Sequence, residues 1–81
     1  MPEALPSNLR REKMTILKRM LNNKKMGWER KLLALVSLAK MASKESLEII
    51  EDYCRNPDPG MKEYARLALG EARYLIGVGA K

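Results

Sequence analysis

The two halves of this chain echo each other. Shifting the sequence by 33 residues places Ile16 and Leu17 on Ile49 and Ile50, Asn23 on Asn56, and Gly27 on Gly60. Trp28, Leu32, Leu35, Val36 and Ala39 then fall on Met61, Ala65, Ala68, Leu69 and Ala72. Few positions are identical, yet the turn residues and the apolar register carry over. A period of this size marks helical repeats, in which each helix pair buries its apolar face against its neighbour. Only Ala42-Ser43 separates one copy from the next, which suits close stacking.

Helix explains the rest of the pattern. There is no phenylalanine, β-branched residues are few, and no stretch alternates as a half-buried strand would. A first helix is expected over about 8–24, capped by Ser7, with Leu9, Ile16, Leu17, Met20 and Leu21 as its stripe. Lys13 falls awkwardly inside that stripe, so either the helix overhangs the core there or the side chain snorkels. A second helix over about 28–42 is apolar nearly all round and should be the most buried, with Trp28 in its core stripe. Ser43 caps a third helix over about 44–55, where Leu47, Ile50 and Cys54 face inward and Ile49 and Tyr53 flank them. Asn56-Pro57 stops it, because the residue before proline avoids the α region. Asp58 then reads as a cap, with Pro59 as first residue of a fourth helix running to Ile76. Residues 1–7 read as an irregular lead-in and 77–81 as a flexible tail.

Residues 57–70, PDPGMKEYARLALG, resemble the second half of a HEAT-like repeat of the phycobilisome-lyase type. The likeness rests on Asp58-Pro59 in the turn, Met61-Lys62, Ala65, and Ala68-Leu69-Gly70. It is good over 47–76 and degenerate over 14–42, where Lys25-Met26 replaces Asp-Pro and Leu32 and Ser37 replace alanine and glycine. The resemblance implies an α-α superhelix fragment whose role is scaffolding and partner binding.

Little chemistry is on offer. The chain has no histidine and one cysteine, which removes Ser-His-Asp and Cys-His pairs, most zinc sites and an internal disulfide. Glu48, Glu51 and Asp52 lie together on the charged side of the third helix, where solvated carboxylates keep ordinary behaviour. Cys54 sits in an apolar stripe and reads as a small core residue. No glycine-rich phosphate loop follows a strand. The chain is therefore expected not to be an enzyme, and to need no metal and no cofactor. The longest apolar run, Leu32–Val36, is far too short to span a bilayer, and the N-terminal residues lack the apolar core of a signal peptide. A cytoplasmic protein without membrane association is expected.

Two surfaces remain. The net charge of +6 resides entirely in the first half: nine basic against three acidic residues over 1–34, seven against seven over 35–81. Arg11, Lys18 and Arg19 share one face of the first helix, and Lys24, Lys25, Arg30 and Lys31 cluster around the turn that follows. Such a set could neutralise phosphates, although no aromatic residue is interleaved to stack on bases. The second surface is apolar. Tyr64, Leu67 and Tyr74 run along one edge of the fourth helix, outside its main stripe. They either widen the core or form the open end of a repeat stack, and two units are fewer than the ~3 such arrays need. An exposed apolar end marks an association site, for a protein partner or a second copy of the chain.

The expectation is thus a single all-α domain over 1–81: two stacked antiparallel helical hairpins, 8–42 and 43–76. Its expected function is that of a non-catalytic protein-interaction module, with nucleic-acid binding through the basic set as the alternative.

Overall fold

The computed structural model describes residues 7–79. They form four helices: α1 (Ser7–Asn22), α2 (Trp28–Met41), α3 (Lys44–Arg55) and α4 (Lys62–Gly79). No strand occurs among the described residues. The fold is all-α, as expected, and the helices pair as two hairpins, α1 with α2 and α3 with α4.

Local chemistry sets each boundary. α1 stops at Asn22, two residues earlier than expected, because Asn23 turns the chain. Its side-chain oxygen accepts from the Lys25 N–H at 2.9 Å, and its carbonyl accepts from the Met26 N–H at 3.0 Å. At the other end Ser7 is itself helical, so it does not stand outside α1 as the cap. The rest of the expected lead-in lies outside the described residues. α2 ends on Ala42, which takes the left-handed conformation (φ 49°, ψ 45°) and donates its N–H to the Ala39 carbonyl. Ser43 caps α3 as expected. Its hydroxyl accepts from the Ser46 N–H while the Ser46 hydroxyl oxygen accepts from the Ser43 N–H, each at 3.1 Å. This reciprocal bonding is why Ser46 can be fully buried.

The start of α4 departs from expectation. Asp58-Pro59-Gly60-Met61 is a turn, not the first turn of a helix. The Met61 N–H donates to the Asp58 carbonyl at 3.0 Å, and Gly60 has φ +83°. Proline second and a positive-φ glycine third are the demands of a type II turn. α4 then starts after Met61, whose carbonyl accepts from the Ala65 N–H at 2.8 Å. Gly27, the register counterpart of Gly60, is instead extended and caps α2. The two turns thus share a position but not a conformation. α4 also continues through Gly77 to Gly79, where a flexible tail was expected; residues 80–81 lie outside the description.

α2 is the central helix. It packs against α1, α3 and most extensively α4, while α1 touches α3 lightly and, among the described residues, does not reach α4. A closed up-down bundle would bring α1 against α4, so this is an open stack of hairpins. The core comprises Leu17 and Leu21 of α1, Ala34, Leu35, Leu38 and Ala39 of α2, and Ile50 and Tyr53 of α3. Met61, Ala65, Ala68 and Ala72 complete it from the second hairpin. The alanines lie buried in α4, where their small side chains let neighbouring helices approach closely.

Burial follows the 33-residue echo only in part. Leu17 and Ile50, Leu35 and Ala68, and Ala39 and Ala72 are buried in both copies. Ile16 is exposed where Ile49 is half-buried. Trp28, expected in the core, is 54% exposed, whereas Met61 is buried. The reason is position in the stack: Met61 packs toward the first hairpin, and the described residues place nothing equivalent before Trp28. The α1 stripe is also rotated from expectation. Met14, Leu17, Met20 and Leu21 face the core, while Leu9, Ile16 and Lys13 lie on the surface. Arg10 and Lys13 are both exposed, so the first turns of α1 overhang the core, which resolves the awkward lysine.

Candidate interaction surface

On α4 the residues at positions 64, 67, 71, 74 and 78 recur every three or four residues and so share one edge of the helix. Leu67 is 71% exposed and Tyr74 69%, and Tyr64 and Val78 are exposed beside them. Tyr64, Leu67 and Tyr74 therefore do not widen the core. Near the start of α4 the ring of Tyr64 stacks on that of Trp28, with centroids 6.1 Å apart and planes 11° from parallel. The two rings, with Pro59, Gly60 and Met61, line a shallow hollow of about 300 Å³. The apolar surface is continuous from Trp28 of α2 onto α4.

The echo explains why this edge is bare. Tyr64, Leu67 and Glu71 are the counterparts of Lys31, Ala34 and Leu38, 33 positions earlier. In α2 those three are buried. Among the described residues nothing covers the same edge of α4.

The basic residues are not gathered into one surface. Arg11 and Lys18 line a groove between α1 and α3 together with Glu45, Glu48 and Asp52. Lys18 and Lys24 line its continuation, a hollow of about 330 Å³, with Asp52, Tyr53 and Asp58. Basic side chains of α1 thus face the carboxylates of α3. Arg19, Lys25 and Arg30 are exposed and line neither of these hollows.

Lys31 leaves the basic set altogether. It is 3% exposed and its ammonium binds the Asp58 carboxylate. The same carboxylate oxygen accepts from the Tyr53 hydroxyl at 2.6 Å, and the Asp58 N–H donates to that hydroxyl oxygen at 3.3 Å. Hydrogen bonds from Lys31 and Tyr53 hold the Asp58 carboxyl below its usual range. Burial, with the bond to Asp58, pushes Tyr53 up to about 12. The expectation of a phosphate-binding role for Lys31 is corrected here: its charge is consumed by the fold. Sequence reading missed this trio because its members come from three segments and no local spacing joins them. It also missed Val78, which was assigned to the tail although it continues the stripe four residues after Tyr74.

Cys54 is half-buried, and burial raises its thiol pKa against the lowering influence of Arg66 and Arg73. Glu51 pairs with Arg73 and Asp52 with Arg55. Among the described residues no cluster of His, Cys, Asp or Glu could hold a metal ion, and no helix is long and apolar enough to cross a membrane. Set beside family models, curated proteins and solved structures, the chain finds no match in any of the three, so what it does must be argued from its own surfaces.

Proposed function

We propose that this chain is a non-catalytic helical-repeat module that binds a protein partner through the exposed edge of α4. One observation carries the reading: Tyr64, Leu67 and Glu71 are exposed where their α2 counterparts, Lys31, Ala34 and Leu38, are buried. An edge shaped for helix packing, and apolar along Tyr64, Leu67, Tyr74 and Val78, is of the kind that marks association. On this reading the hairpins are HEAT-like repeats and the module is a scaffold element. The unpaired Cys54 fits a reducing, cytoplasmic setting.

Nucleic-acid binding is less well supported. Of the basic set, Arg11, Lys18 and Lys24 line hollows with carboxylates and Lys31 is buried, which leaves Arg19, Lys25 and Arg30. The two readings separate in a pull-down from native cell extract with and without nuclease. The proposed reading expects a nuclease-resistant protein, an untagged copy of this chain included, lost on Leu67→Asp or Tyr74→Asp. Recovery only of nuclease-sensitive material, lost on Arg19→Ala/Lys25→Ala, would overturn it.

A further inference from the structure

The exposed edge of α4 carries two features that the chain alone does not explain. Gly70 and Gly77 lie inside the helix, where glycine is disfavoured relative to alanine. Neither has a positive φ, and a Cβ built on either would meet nothing within 4 Å. The fold therefore does not require them. They alternate with the two most exposed apolar side chains, in the order Leu67, Gly70, Tyr74, Gly77, at the three-four spacing of a helix-packing seam.

That order is complementary to itself in reverse. Laying a second α4 antiparallel across the first, with the two-fold axis level with residue 72, sets Leu67 opposite Gly77 of the other copy. The same axis sets Tyr74 opposite Gly70 of the other copy, and each pairing occurs twice. Every layer then holds one large and one absent side chain, which is how two helices approach closely without a gap. We infer that the occupant of this edge is a second copy of the chain, bound as a two-fold dimer through α4, Leu67 and Tyr74 filling the spaces over Gly77 and Gly70. This rests on the reading of α4 as the docking edge and names its partner.

Area and charge agree. Tyr64, Leu67, Tyr74 and Val78 each keep 39–71% of their surface exposed. At roughly 150–250 Å² for a whole aromatic side chain, these residues and Trp28 expose on the order of 1,000 Å² over two copies, the most they could bury and level with the lower bound for a specific interface. The +6 charge belongs to residues 1–34, and residues 35–81 sum to zero. Joining copies through α4 thus brings together their neutral halves. The seam places Glu71 of each copy near the axis, facing its mate. That contact opposes association and makes Glu71 a sensitive position.

Sedimentation equilibrium of the full chain tests the inference. The wild type should pass from 9.3 kDa toward twice that mass across micromolar concentrations. Leu67→Asp should weaken association at least a hundredfold with an unchanged circular dichroism spectrum. Gly70→Leu is the sharper variant. A merely sticky surface would associate more strongly with an added leucine, whereas the seam predicts at least tenfold weaker association and a thermal midpoint no lower than wild type. In a Cys54→Ser background, Glu71→Cys should oxidise to a covalent dimer. Glu63→Cys should not, since its two copies would lie ~27 Å apart along the axes at 1.5 Å per residue. A wild type that stays monomeric, a dimer indifferent to Leu67→Asp, association strengthened by Gly70→Leu, or cross-linking through Glu63→Cys overturns the inference. If a different protein is then still lost from the extract on Leu67→Asp, the docking edge stands and only its occupant was wrong.

Discussion

Lys31 and Asp58, 27 positions apart, form an ion pair that ties α2 to the turn leading into α4. The lysine is buried and the aspartate reaches solvent at its rim, so the two partners are not equivalent. Asp58→Asn leaves a buried ammonium without a counter-charge and should cost about 2–3 kcal/mol, below the full ~3–5 for a wholly buried pair. Lys31→Met leaves a carboxylate that water and Tyr53 can still solvate, and should cost under ~1 kcal/mol. Urea denaturation of both variants checks the asymmetry. Equal losses would mean that the pair is not the buried-cation clamp described here.

The same trio sets a pH dependence. Tyr53 ionises in the fold only near 12, above its ordinary value of 10.0. A raised pKa contributes stability that is whole below pH 10 and drains away as pH rises toward 12. Asp58 is shifted the other way. Its contribution is whole above the ordinary carboxylate range and is lost as pH falls below about 4. Thermal midpoints between pH 9 and 12 should fall less steeply for Tyr53→Phe than for wild type. Parallel slopes would count against the assignment.

Ala42 joins the hairpins in a conformation that L-residues other than glycine rarely take. Its left-handed backbone costs on the order of 1–2 kcal/mol that glycine would not incur, partly offset by the greater chain entropy glycine loses on folding. Ala42→Gly should therefore raise stability by about 0.5–1 kcal/mol. A chemical melt that shows a loss instead would place the strain elsewhere.

Small residues matter on one face of α4 and large ones on the other. Ala72 is fully buried, so Ala72→Leu should destabilise by about 1–3 kcal/mol through overpacking. Tyr74→Ser, at an exposed site, should change monomer stability by less than ~0.5 kcal/mol. Comparing the two in dilute solution separates folding from association. A large effect of Tyr74→Ser there would mean that its ring is part of the core.

How much of this could be read from the sequence depended on how local the determinant was. The Ser43 cap, the bounds of α3 and the buried pairs Leu35/Ala68 and Ala39/Ala72 rest on short-range spacing, and they agree with the structure. Trp28 did not follow its register mate Met61, because burial depends on which hairpin lies alongside, and a repeat pattern is blind to its own ends. Asp58 has the chemistry of a cap, but Lys31 and Tyr53 claim its carboxylate, and those contacts come from distant segments. The edge of α4 was visible as a stripe. That it lies bare followed only once α2 showed the same edge covered.

The most direct test of the central claim is a dilution series of the isotope-labelled chain followed by amide NMR. If two copies of the chain pair through the α4 edge, shifts on dilution should concentrate at Leu67, Gly70, Tyr74 and Gly77 and leave Arg11, Arg19 and Lys25 unmoved. Shifts confined to α1 and the turn at Asn23–Met26, or a spectrum indifferent to concentration from micromolar to millimolar, would contradict it.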